Sequence, residues 1–174
     1  FQAIAAQTPF TRPSIYRYFR TREEIMLELL RRDYEGWYAD LQQVFADDAP
    51  RTREEFCRQL TGTLAAHQRM LALISIDLRA IETESRPERL VAFKQLCQRV
   101  GIYLNGRMDV YFPQTPKTAR AAFNTVFPVL FFGLYPHTHL TPQQTAAMDA
   151  VGMPHDRDLA QVCNSALLLL TSGF

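Results

Sequence analysis

The chain has little net charge, no long hydrophobic run and few cysteines, and each shortage excludes a class of protein. Nineteen Lys and Arg against 18 Asp and Glu leave a formal charge of +1, so the molecule is not uniformly basic. The most apolar stretch, residues 121–135, is interrupted by Asn124, Thr125 and Pro128. It is too short for a membrane span, which needs about 20 apolar residues. No secretory signal pattern is found, and no membrane partner is expected. Cys57, Cys97 and Cys163 lie far apart with no C-x-x-C spacing. A disulfide framework is thereby disfavoured, and reduced, buried thiols in a cytoplasmic protein are expected. Repeats, low-complexity tracts and the alternating pattern of half-buried strands are all missing. So are HExxH, GxSxG, a phosphate loop and any carboxylate–histidine pairing, which leaves an enzyme without machinery and implies no cofactor.

What remains is 174 residues, 47% of them apolar, enough for one compact domain or a small head on a larger body. Charge is unevenly placed. The first 33 residues hold six Arg against four acids, the remainder 13 basic residues against 14 acids, so a polyanion would meet the N-terminal end. There, Thr11 to Arg22 (T-R-P-S-I-Y-R-Y-F-R-T-R) carries Arg12, Arg17, Arg20 and Arg22 without one acid. Thr11 suits an N-cap and Pro13 a first helical turn, where amides have no intrahelical acceptor to lose. A helix to about Phe19 puts Ile15 and Phe19 on one face and Pro13, Ser14, Tyr16 and Arg17 on the other. Upstream, F-Q-A-I-A-A reads as part of another helix, joined through the turn Q-T-P-F, and a further upstream segment is expected. Together these form a helix-turn-helix.

The rest reads as helix throughout, an all-α fold. Thr21 with Glu24 starts a long amphipathic helix whose inward positions are Ile25, Leu29 or Leu30, Tyr34, Trp37, Leu41 and Phe45. It joins head to body near residue 47, dividing the chain into a head and connecting helix (1–46) and a body (47–174). Thr52 with Glu55 begins a helix with Phe56, Leu60, Leu64, His67 and Leu71 on one face, followed by a shorter one over residues 73–84. Pro87 opens a helix that stops before Pro113. Thr115-Pro116 opens another that Pro136 closes, Thr141 caps a short one, and a last helix spans about 156–171.

With these elements placed, Ile4 to Ile25 (I-A-A-Q-T-P-F-T-R-P-S-I-Y-R-Y-F-R-T-R-E-E-I) resembles the signature of the TetR family of transcriptional regulators, I-A-x-x-x-G-V-S-x-x-T-I-Y-x-Y-F-x-x-K-E-E-L. Tyr16, Tyr18, Phe19, Glu23 and Glu24 stand in register. Pro9 and Phe10 replace the usual Gly and Val, so the turn takes another shape, because Pro cannot adopt the positive φ that Gly permits. The first helix of the family's three-helix head is not in the sequence. The resemblance implies a homodimer that places two recognition helices in successive major grooves of double-stranded DNA, controlled by a small effector in the body. Residue by residue, it implies that Arg12, Pro13, Ser14 and Arg17 face base edges and that Thr11, Tyr16, Tyr18 and Arg22 hold phosphates.

Two further expectations follow from the body. Residues 121–135 and 166–170 carry more apolar surface than a monomer needs, so Phe131, Leu134, Tyr135, Leu167 and Leu168 are candidates for a four-helix dimer interface. His67, Met70, Tyr103, Met108, Phe123 and Phe127 lie on helices able to surround an effector, apolar or aromatic by the composition of the site. His137-x-His139, with His155 or Cys163, lacks the spacing of a zinc site, and no metal is expected. A helical interaction module would use the same apolar helices. It would have no use for an acid-free arginine cluster.

Overall fold

Side-chain caps set where the helices begin. A computed structural model describes residues 12–174, which form eight helices and, among the described residues, no strand. Helix α1 spans Arg12–Tyr18 and α2 spans Arg22–Val44, where Thr21 Oγ1 accepts the Glu24 amide. Helix α3 (Arg53–Ala66) begins with a reciprocal capping box between Thr52 and Glu55. Helices α4 (Gln68–Thr83), α5 (Pro87–Tyr111) and α6 (Lys117–Thr138) follow. A second capping box, Thr141 with Gln144, starts α7 (Pro142–Ala150), and Asp158 caps α8 (Leu159–Leu170). Such caps satisfy amides that the first turn leaves without acceptors. Thr52→Ala is expected to cost about 1 kcal/mol, read as a lower urea midpoint at unchanged slope.

Helix α2 is the axis of the body: α3, α4 and α5 pack around it, α6 lies on α4, and α8 joins α3 to α6. Leu30, Leu41, Phe45, Phe56, Leu60, Leu64, Met70 and Leu71 are fully enclosed at this centre. Helices α5 and α6 meet each other only sparsely. The three cysteines are free, with Cys57 and Cys163 buried and Cys97 half-buried.

Several boundaries differ from the sequence reading: the helix expected over residues 73–84 begins at Gln68, and the last helix begins at Leu159, after its Asp158 cap, instead of near residue 156. The helix expected to run from Thr52 past His67 breaks at His67, which has φ −109° and ψ 45°. Its Nε2 bonds Asp40 Oδ2 of α2 at 2.7 Å, and a Cβ on Gly36 would lie 3.3 Å from its ring, so α2 dictates this break. Pro136 does not close α6, which runs on to Thr138 because Pro136 is exposed and its missing amide leaves no buried acceptor stranded. A further break lies inside α4, where Asp77 has φ −165° and ψ 74°, and its Oδ1 accepts the Ala80 amide to restart the helix.

Candidate DNA-binding face, its anchor and a cavity

Helix α1 presents two different faces. Ile15 is buried, whereas Tyr16, Arg17 and Tyr18 are exposed, Tyr18 by 64%. Phe19 continues the inward face, half-buried with the Arg89 guanidinium 4.7 Å above its ring. Arg22 is exposed at the start of α2. Thr11 lies outside the described residues, as do Ile4, Ala5 and the turn through Pro9 and Phe10. For Arg12, Pro13 and Ser14 only the helical backbone is described.

The far end of α1 is held by the turn between α4 and α5. The Tyr18 carbonyl, one of those the last helical turn leaves without an amide, accepts from Arg86 Nη2 at 2.9 Å and Arg89 Nη2 at 2.8 Å. Two guanidinium groups at this terminus also complement the negative end of the helix dipole. Beneath them sits Glu24, a fully buried carboxylate. Its Oε1 accepts from Arg86 Nε at 2.5 Å and from the Arg86 amide at 3.2 Å, while Oε2 accepts the Arg20 amide at 2.8 Å. Burial opposes ionisation of Glu24, but the hydrogen bonds from Arg86 and the Arg20 amide outweigh it and lower the pKa to about 2. Thr21 Oγ1 completes the joint by donating to the Glu84 carbonyl at 3.0 Å.

Between α5 and α6 lies a cavity of about 890 Å³. Tyr34 and Trp37 of α2, Ile74 and Leu78 of α4, Phe93 of α5 and Phe127 and Phe131 of α6 form its apolar wall. The rings meet edge to face: Tyr34 on Phe93 at 5.4 Å, Trp37 on Phe131 at 5.4 Å and Phe127 on Phe131 at 5.1 Å. Ile74 and Leu78 flank the break at Asp77, so the cavity touches the kinked part of the helix that leads to Arg86. At the mouth, Asn124 Nδ2 donates to Asn105 Oδ1 at 2.8 Å. The charged lining residues are already paired, Lys94 with Glu82 and Asp109 with Arg120. Burial raises the Cys97 pKa to about 11, so the thiol in this wall stays protonated. Such a cavity can bind an apolar molecule.

A protein-family model described as "Tetracyclin repressor-like, C-terminal domain" matches residues 31–174. The chain belongs to the TetR family. No curated protein matches it significantly. The matched span runs from within α2 to the last residue and contains the cavity, so this is a transcription regulator with a TetR-type body.

Within that TetR-type body the residues singled out from sequence fall in different places. Phe123 and Phe127 line the cavity. Met70 and Met108 are enclosed in the core, His67 is bound to Asp40, and the Tyr103 hydroxyl donates to the Phe45 carbonyl at 3.0 Å. None of these four lines the cavity. Tyr34, Trp37, Ile74 and Phe93, which do, have the same helical spacing as plain core, and no sequence signal separates the two. Among the interface candidates, Phe131, Leu134 and Leu167 are buried within the protomer, and Tyr135 and Leu168 are half-buried. The same two helices expose Val129 and Leu169, by 60% and 76%. His139 stacks on Tyr135 with ring centroids 4.0 Å apart, and His155 bonds Asp149. Among the described residues no three His, Cys, Asp or Glu cluster as a metal site requires, and no helix is long and apolar enough to cross a membrane.

Proposed function

We propose that this TetR family member is a homodimeric repressor that binds a palindromic operator in the cytoplasm and releases it when a small apolar or aromatic effector enters the cavity between α5 and α6. The observation that carries the reading is the joint at Arg86: it ties the exposed face of α1 to the turn between two helices that wall the cavity. Residues 1–46 act as head and connecting helix, and residues 47–174 as the body that binds effector and partner. Arg12, Pro13, Ser14 and Arg17 face base edges. Thr11, Tyr16, Tyr18 and Arg22 hold phosphates and so fix register without reading sequence. Filling the cavity displaces Ile74 and Leu78, moves the α4–α5 turn and turns α1 out of the groove. The protein works by binding and carries out no catalysis.

A guanidinium that contacts guanine O6 and N7 contributes about 1–3 kcal/mol of discrimination. Arg17→Ala is therefore expected to weaken operator binding by roughly 5- to 150-fold and to relax preference at one base pair in each half-site, measured by fluorescence anisotropy on operator and scrambled duplexes. Equal losses on both would refute base readout. Affinity for the operator is also expected to fall steeply as salt rises, since phosphate contacts release counterions.

A further inference from the structure

The geometry points to an uncharged aromatic effector bearing a hydrogen-bond acceptor, such as a ketone, which the Tyr34 hydroxyl receives while the ring system lies among Trp37, Phe93 and Phe131. This rests on the cavity being the effector site. Tyr34 is 8% exposed and lines the cavity, and its ring is held edge-on against Trp37, Phe93 and Phe131. That hydroxyl has no hydrogen-bond partner among the described residues, although Tyr103 and Tyr111 both donate to main-chain carbonyls. Nor is it among the sealed buried atoms without partners, so it reaches open space, and the space that Tyr34 lines is the cavity. A neutral phenol at a cavity wall with no protein acceptor is a donor that a ligand can engage, and because packing already holds the ring the hydrogen bond forms at little ordering cost.

The same walls select against charge. Lys94 and Asp109, the ionised lining residues, are each committed to an opposite charge, and the deep wall is aromatic or aliphatic. An ionic ligand would lose its hydration without finding a counter-ion. The polar groups left for a ligand are neutral: the Tyr34 hydroxyl and Cys97 thiol in the wall, the Gln98 amide and the Asn105–Asn124 amide pair at the mouth. A cavity of about 890 Å³ also has room for more than two fused rings.

Equilibrium dialysis of the full-length protein against naphthalene, 2-acetonaphthone, 2-naphthoate and 2-naphthylmethylammonium tests this. The ketone is expected to bind about 3- to 10-fold more tightly than the hydrocarbon, and both ions more weakly than either. Tyr34→Phe, which keeps the ring and its contacts, is expected to erase the advantage of the ketone and leave naphthalene unchanged. A ketone advantage that survives Tyr34→Phe, or an ion that binds tightest, overturns the inference and leaves the effector cavity standing. Retention of none of the four probes overturns both.

Discussion

Replacing Arg86 with alanine is expected to lower stability by about 3–5 kcal/mol, the largest loss foreseen for one substitution at the joint. Glu24 is fully buried, and Arg86 neutralises it through its side chain and its amide. Removing the guanidinium strands a carboxylate in the interior, which costs far more than the net worth of the pair when both are present. Arg89 Nε, 3.7 Å from Glu24 Oε2, compensates in part and places the result toward the lower end of that range. Glu24→Met together with Arg86→Met is expected to recover most of the loss, because apolar groups of similar volume leave nothing unpaired. Denaturant unfolding of the three variants checks this. A loss under 1 kcal/mol for Arg86→Ala would remove the joint from the account.

The same pair gives the protein a pH dependence of defined sign. Glu24 falls from its ordinary 4.5 to about 2 on folding, so it contributes stability above about pH 4.5, and that contribution is lost as pH drops toward 2. Arg86→Met with Glu24→Met is expected to flatten the stability profile in that window.

In the proposed dimer, glutamate at both Val129 and Leu169 is expected to separate the two subunits and to abolish operator binding at concentrations that saturate the native protein. The two side chains are among the most exposed apolar groups on α6 and α8, helices that pack on each other. Burying an unpaired carboxylate in a two-fold interface costs several kcal/mol, and symmetry doubles it. Because both positions are exposed in the protomer, helical content and unfolding of the isolated chain are expected to stay unchanged. Sedimentation velocity reads the effect. A native protein that sediments as a monomer at micromolar concentration would contradict the interface.

What could be read from the sequence was local, and what could not was tertiary. The capping pairs Thr52–Glu55 and Thr141–Gln144 act within three residues, and the spacing of Tyr34, Trp37, Leu41 and Phe45 places them inward by helical geometry alone. The two faces of α1 were equally legible, since helical spacing alone turns Ile15 inward and Tyr16, Arg17 and Tyr18 outward. The joint was not: Glu24 and Arg86 stand 62 residues apart, and Glu24 reads from sequence as the capping-box partner of Thr21 and a residue in register with the family signature, with nothing to point to Arg86. His67 fits the apolar face of a continuing helix until Asp40 takes its ring. The cavity stayed hidden for the same reason. Whether Trp37 or Phe93 meets another side chain or open space depends on how far α5 stands from α6, and one helix's periodicity carries no information about that distance.

The most direct test is selection of bound sequences from random duplex DNA by the full-length protein, followed by alignment of the enriched pool. A consensus with two-fold symmetry and half-sites about one helical turn apart is the expected result, with preference relaxed at one base pair of each half-site in a pool selected with Arg17→Ala. Failure to enrich any sequence, or an asymmetric consensus unaffected by Arg17→Ala, would contradict the assignment of α1 as the element that reads DNA.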